Sequence, residues 1–309
     1  MSVPPTWVTR PRYEFGEVAT MKRIVSQGPN LTFAELDLDG RIVRFAVSGA
    51  ESEGRVATLF TKEPGTIDWI HSFAPEAVFA DVGANVGIYS VYAGVIARAR
   101  VYAFEPESQN YAELCRSIFL NGAHGAIVAF CVAICDQPVE VSRLLLSSFA
   151  TGASYHDFGE PSRPYPAAMR FAQGSIGFSL DHLVQSGAIE EPDHVKIDVD
   201  GHEDKVMAGM RALLGRGKIR TVLLECNPRL PHTADLIDWM FDHGWQVNED
   251  QVRLTREGLR PTGLVMDEVR GGVYVGNVIF GRCGADLEFA TRALERFTPV
   301  ELERMRRPK

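Results

Sequence analysis

The chain has 309 residues, of which 45% are hydrophobic and 23% charged, with a formal net charge of −8. That balance buries a sizeable core and excludes a largely disordered chain. Asp plus Glu number 40 against 32 Lys plus Arg, which disfavours a nucleic-acid partner, whose phosphates call for clustered cations.

The length suits two domains or one large α/β domain with additions. Five cysteines, Cys115, Cys131, Cys135, Cys226 and Cys283, are odd in number and lack CxxC spacing. This disfavours a disulfide framework and a zinc knuckle, and most read as buried thiols. The first 15 residues lack a continuous apolar run, and no apolar stretch reaches the length of a membrane span. A cytoplasmic protein without a membrane span is expected. The oligomeric state is not readable from the sequence.

Residues 1–30 have no clear period. Residues 31–59 read as strand-like, with Asp39-Gly40 as a hairpin turn between Phe33, Leu36, Leu38 and Ile42, Arg44, Ala46. Pro64-Gly65 is a turn, and Thr66 or Asp68 would cap a short helix ending near Phe73. A strand–helix rhythm follows: a strand at 77–80, a helix at 89–96, a strand at 101–104, and a helix with Tyr111, Leu114, Cys115 and Ile118 on one face. Residues 126–134 read as a third strand. Residues 136–180 break the rhythm, with strand-like 139–146 and then a loop. A strand at 194–197, a helix carrying Val206 to Leu214, a strand at 221–224 and a helix ended by Gly244 restore it. Residues 245–247 and 273–280 would close the sheet, and 287–307 would form a surface helix with a basic tail. Alternating strands and helices predict an α/β fold with a mostly parallel sheet covered on both faces. Ligands of such sheets bind beyond the carboxyl ends of the strands.

The strongest motif is Asp81-Val82-Gly83-Ala84-Asn85-Val86-Gly87, directly after the first strand of that rhythm. Gly83 lets the backbone turn close to a ligand, Asn85 tolerates the left-handed region, and Gly87 allows a tight helix start. Glu105 ends the second strand, 22 residues beyond Gly83. A carboxylate there suits the two hydroxyls of a ribose, which implies a nucleoside cofactor. A dinucleotide wants GxGxxG for its pyrophosphate, whereas this loop is GxNxG with Asp81 adding negative charge. A cofactor bearing a sulfonium and an ammonium suits that charge better, so S-adenosyl-L-methionine and methyl transfer are favoured over NAD and hydride transfer.

The segments Phe79 to Ser90, Phe104-Glu105-Pro106-Glu107 with Asn110-Tyr111, and Lys196-Ile197-Asp198-Val199-Asp200-Gly201-His202-Glu203 resemble the FkbM family of S-adenosylmethionine-dependent methyltransferases. The likeness runs from about residue 61 to residue 227. It implies a class I methyltransferase (Rossmann-like) fold, with a seven-stranded sheet whose last strand is antiparallel. It also implies O-methylation of a sugar, polysaccharide or polyketide hydroxyl. By the same resemblance Asp81, Gly83 and Gly87, with Asn85 in their loop, line the methionine part of the cofactor. Glu105 holds the ribose, Ala133 sits beside the adenine and Asp136 approaches its amino group. Asp200 stands where the family often has Glu. The expected organisation is an N-terminal extension with a β-hairpin at 1–60, the methyltransferase domain at 61–285, and a C-terminal helix and tail at 286–309.

A neutral hydroxyl is a weak nucleophile, so a base or metal would assist. Asp198 ends the fourth strand and is expected to contact both cofactor and reacting region. His202 and Glu225 are further catalytic candidates, and Glu203 alternatively stabilises a helix start. Asp198, Glu225 and Asn227 would offer oxygen ligands to a magnesium-type ion, but two acids positioning substrate without metal is preferred. His156, in the segment that interrupts the rhythm, is a candidate general base. Lys196 is expected to pair with an acid. N-methylation of an amine and a non-catalytic cofactor-binding module are the alternatives.

Overall fold

The computed structural model describes residues 7–8, 20–26, 31–38, 40–60, 62–161, 171–227, 230, 232–247 and 276–287. The chain opens with β1 (Trp7–Val8), β2 (Thr20–Ser26), β3 (Thr32–Leu38) and β4 (Arg41–Ala46), which pair antiparallel in that order. The expected hairpin is therefore one half of a four-stranded sheet. Strand structure stops at Ala46, and Ala50–Ala57 is a helix, α1, where strand was expected. Its start is set by extended Gly49 and by Ser52, whose hydroxyl accepts from the Ser48 and Gly49 N–H groups. The next helix, α2 (Pro64–His71), begins before either expected cap, with Pro64 at its first turn and Glu63 at its N-cap.

The strand–helix rhythm then appears as expected: β5 (Val78–Val82), α3 (Ile88–Tyr92) running into a π-helical turn over Ala93–Ala97, β6 (Arg100–Phe104) and α4 (Ser108–Leu120). The third strand splits. Its first half, β7 (Ile127–Phe130), pairs with β6, and its second, β8 (Ala133–Ile134), leaves for another sheet. That sheet contains the expected strand at 139–146 and extends into the stretch that read as loop. Its strands β9 (Val139–Leu146), β10 (Asp157–Phe158) and β11 (Phe171–Phe178) follow the order β10-β9-β11-β8.

Helix α5 (Leu180–Gln185) leads to β12 (His194–Ile197). The helix expected through Leu214 is two, α6 (Glu203–Ala208) and α7 (Arg211–Arg216), broken where Gly209 meets the Cys135 carbonyl. After β13 (Thr221–Cys226) comes α8 (Thr233–Asp242), with Gly244 at φ 80° just past its C-cap, as expected. Strands β14 (Gln246–Val247) and β15 (Gly276–Gly281) complete the main sheet. Residues 248–275 and the expected C-terminal helix and basic tail beyond Leu287 lie outside the described residues.

The main sheet has seven strands in the order β14-β15-β13-β12-β5-β6-β7. Pairing is parallel from β13 through β7, and β15 runs antiparallel to both its neighbours. This is the expected class I methyltransferase sheet. The chain leaves β5 toward β6 and β7, then returns to place β12 on the other side of β5. The switch point therefore lies at the carboxyl ends of β5 and β12.

Alternation along each strand feeds two cores. Ala80, Val82, Val195 and Ile197 pack under the helices of the later half of the chain, while Phe79 packs with α2 and α3. Ala34, Leu36, Val43 and Phe45 of the N-terminal sheet share this second core, so the extension packs on the sheet's helical layer. All five cysteines are free, but only Cys135 and Cys226 are buried. No described helix is long and apolar enough to cross a membrane.

Thr221 ties α2 to the sheet. Its hydroxyl accepts the Trp69 indole N–H at 2.8 Å and lies 2.7 Å from Nδ1 of His194, whose ring stacks on Phe73. Burial pushes the His194 imidazole down to about 3, so the ring is neutral and accepts the hydroxyl hydrogen. Thr221→Val keeps the shape and orphans two buried polar groups. It should cost about 1–3 kcal/mol in urea unfolding; an unchanged midpoint would show that the triad carries no stability.

Candidate active site

A cleft of about 970 Å³, its open mouth included, crosses the carboxyl ends of β5, β6, β12 and β13. Its floor begins at the glycine loop. Gly83 has φ 81°, and a Cβ there would lie 1.8 Å from the Asp198 carbonyl oxygen. Only glycine lets β5 turn this close to the end of β12. The Gly83 and Ala84 N–H groups both donate to the Phe104 carbonyl at 3.0 Å. Asn85 follows at φ 52°. Gly87 serves packing instead. A Cβ there would meet Leu114 of α4 at 2.2 Å, so it seats α3 against α4 and does not line the cleft.

Glu105 stands at the cleft wall, where the end of β6 delivers it. The Asn85 N–H donates to its Oε2 at 2.8 Å and the Glu107 N–H to its Oε1 at 2.9 Å. Burial pushes the carboxyl up to about 7, and those two N–H bonds limit the rise. Each oxygen keeps a second lone pair for a ligand hydroxyl.

Asp81 and Lys196 are partners in the parallel register of β5 and β12. The Lys196 side chain is 1% exposed; its ammonium donates to Asp198 Oδ2 at 2.7 Å and lies 3.9 Å from Asp81 Oδ1. Lys196 thus pairs with acids, as expected. Asp81 also accepts from Ser90 Oγ at 2.6 Å, is fully buried, and sits behind the cleft wall rather than on it. Burial raises its carboxyl despite the ammonium. The negative charge facing the cleft comes instead from Asp198, which is 28% exposed, and from Asp200. Burial works to raise Asp198, but the charge and hydrogen bond of Lys196 outweigh it and hold the carboxyl below its usual range. Glu225 makes no such hydrogen bond to a cation among the described residues: burial, then the charges of Asp198, Glu203 and Asp200, push it up to about 9.

The apolar end of the cleft is built by Phe104, Val132, Ala133, Leu144 and Phe158, so the second sheet supplies much of it. Ala133 lines this end, whereas Asp136 is exposed and off the wall. The roof is the loop between β9 and β10. Asn85 Nδ2 and Asn110 Nδ2 donate to the Ala153 carbonyl at 2.8 and 3.2 Å, and the Gly152 N–H donates to Asn110 Oδ1 at 2.7 Å. Arg55 of α1 donates to the Gly152 carbonyl at 2.6 Å, bringing the N-terminal region into the site. A smaller recess lined by Arg55, Lys62, Glu63, Tyr89 and Asp198 continues the cleft beside the glycine loop.

His156 and His202 both line the cleft. Nε2 of His202 lies 3.1 Å from Oδ1 of buried Asp157. Asp157 was missed in the sequence because only the fold brings it to a histidine 45 residues away. Burial lowers the His156 imidazole, keeping it neutral. Glu203 opens α6 and accepts the Val199 and Gly201 N–H groups at 3.2 and 3.1 Å, a structural role that locks the loop carrying Asp200.

The residues present fit S-adenosylmethionine: an apolar slot for a purine, Glu105 for a ribose diol, and a recess with both cations and acids for an amino-acid end. The described acids near the cleft do not offer a three-carboxylate set for a divalent ion. Among the described residues, no three of Asp198, Asp200, Glu203 and Glu225 converge closely enough to share one. The group that does, Cys135, Asp136 and Glu140, is off the cleft.

Glu225 makes stability depend on pH. Its folded value of about 9 lies above the ordinary one, so the fold holds a proton that the unfolded chain releases. Its contribution is complete at acid pH and is lost as pH rises toward 9. Between pH 6 and pH 9 the melting temperature of the wild type should fall more than that of Glu225→Gln; parallel curves would contradict the raised value.

Comparison with known proteins agrees with this geometry. The family described as methyltransferase FkbM domain matches residues 81–247, just over half the chain. The hexuronic acid methyltransferase AglP of Haloferax volcanii is 28% identical over 178 residues, covering 56% of this chain and 66% of AglP. The AMB antimetabolite synthetase AmbE of Pseudomonas aeruginosa is 26% identical over 274 residues, covering 70% of this chain and 13% of AmbE. The chain thus spans just under two thirds of one relative and a small part of the other. Among solved structures, M. capricolum TrmK with S-adenosyl-homocysteine aligns at 11% identity with a TM-score of 0.37, covering 70% of this chain and 67% of that one, a likeness too distant to carry a functional inference. By its matched domain and its seven-stranded sheet, the chain belongs to the FkbM methyltransferase family.

Proposed function

We propose that the protein is an S-adenosylmethionine-dependent O-methyltransferase acting on a hydroxyl of a sugar or sugar-bearing molecule. The observation that carries this reading is the order of chemistry along one cleft: apolar slot, Glu105, then Asp198 beside a recess with Arg55 and Lys62. The bound cofactor supplies a methyl group on a cationic sulfur. Asp198, kept anionic by Lys196, suits that cation and the neighbouring ammonium. Arg55 and Lys62 suit a carboxylate, whether of the cofactor's amino-acid end or of an acidic sugar. The similarity to a hexuronic acid methyltransferase supports a sugar acceptor. Lining up oxygen, methyl carbon and sulfur is the main catalytic requirement, which a pinned roof and a rigid sheet edge serve.

Titration calorimetry with S-adenosylhomocysteine tests the cofactor, with NAD as control. Binding of the first, none of the second, and at least about 10-fold weaker binding by Glu105→Ala are expected, the last being the loss of roughly 1.4 kcal/mol of hydrogen bonding. Tighter NAD binding, or none by S-adenosylhomocysteine, would overturn the reading. Methyl incorporation into glycosides of neutral sugars, glycosides of hexuronic acids and simple amines then tests the acceptor. Transfer to amines alone would rule out the O-methyl assignment.

A further inference from the structure

The acids of the cleft are poor candidates for the base that a hydroxyl acceptor needs. Asp198 spends its Oδ2 on Lys196, Asp200 spends its Oδ2 on the Tyr155 N–H at 2.7 Å, and burial beside three other acids favours the protonated form of Glu225. The histidines remain, and their hydrogen bonds decide which nitrogen of each carries a hydrogen. At His202, Nε2 faces Asp157 Oδ1 at 3.1 Å. A carboxylate only accepts, so Nε2 bears a hydrogen, and in the neutral ring Nδ1 holds the lone pair. His156 differs in what faces its two nitrogens. Its Nδ1 accepts the Ser147 N–H at 3.4 Å, so Nε2 bears the hydrogen. That Nε2 is buried and, among the described residues, has no hydrogen-bond partner, which leaves it a donor with no acceptor there.

Resting on the O-methyltransferase reading, we propose that His202 Nδ1 is the general base, that Asp157 is its positioning residue, and that His156 is a hydrogen-bond donor to a ligand oxygen rather than a base. The acceptor O–H bond breaks toward His202 Nδ1 while the oxygen forms its bond to the methyl carbon. The electron pair of the broken carbon–sulfur bond stays on sulfur, which becomes a neutral thioether. The imidazolium faces the Asp157 carboxylate until its proton passes to water. Asp157 fixes the tautomer: without an acceptor at Nε2, either nitrogen can carry the hydrogen, and the lone pair no longer faces one way.

Nitrogen-15 spectroscopy observes the rings directly and does not require the natural acceptor. In protein labelled with nitrogen-15 histidine and saturated with S-adenosylhomocysteine, long-range proton–nitrogen correlation should show hydrogen on Nε2 of both His202 and His156. Asp157→Ala should lose the single tautomer at His202 while binding S-adenosylhomocysteine within about 2-fold of wild type, the spread expected when a remote contact is untouched. A hydrogen on His202 Nδ1 would overturn the proposal. A kinetic arm uses S-adenosylmethionine with p-nitrophenyl β-D-glucuronide as the probe. His202→Gln should lower kcat about 100-fold or more without raising the KM for S-adenosylmethionine. An unchanged kcat would also overturn the proposal, and intact S-adenosylhomocysteine binding by this variant excludes misfolding as the cause of a loss. If the wild type binds S-adenosylhomocysteine but leaves the probe unmethylated, the acidic-sugar acceptor fails and the ring tautomers alone decide the base. If the wild type does not bind S-adenosylhomocysteine, the methyltransferase reading fails, whatever the tautomers.

Discussion

One buried ammonium organises this molecule. Lys196 sits in the sheet opposite Asp81 in register and two residues before Asp198 on the same strand face. A charge buried this deeply is tolerated only when it is paired, and removing one partner leaves the other uncompensated. The pair therefore fixes β5 against β12 at the point where the sheet order reverses. It also sets the character of the site. The same cation that faces Asp81 behind the wall keeps Asp198 ionised on the wall. Gly83 completes the constraint, because its missing Cβ lets the loop after β5 reach the Asp198 backbone.

Around that fixed edge the remaining parts come from distant stretches of chain. The second sheet brings Leu144 and Phe158 over the apolar end, and α1 brings Arg55 to the roof. Asn85 and Asn110 hold the same carbonyl from two different helix starts. A cleft braced this way is suited to holding a ligand in one orientation, which is what an in-line displacement requires. The N-terminal region, though outside the matched family domain, is thus part of the site.

Much of this was legible in the sequence where a period or a spacing carried it. The strand–helix rhythm and the delivery of Glu105 and Asp198 to one edge follow from short apolar runs ending in acids, and the reversed last strand follows from the family resemblance. What was not legible depends on partners brought by the fold. Asp81 reads as an acid at the loop, but which way a strand residue points is known only once Lys196 is found opposite it. Strand β9 was legible, but its partner β11 read as loop because it contains Gly174 and Gly177 and lacks a clean buried alternation. One long helix became two because Gly209 yields its place to the Cys135 carbonyl. Asp157 was invisible as a partner for His202, since 45 residues separate them.

The central claim is that one cleft holds a nucleoside cofactor in a single direction. A crystal structure of the protein with S-adenosylhomocysteine tests it most directly. The purine is expected against Phe104, Val132, Leu144 and Phe158, the ribose hydroxyls on Glu105, and the amino-acid end in the recess between Asp198 and the cations of Arg55 and Lys62. A purine lodged at the Asp198 end, or a nucleoside bound outside the cleft, would contradict it.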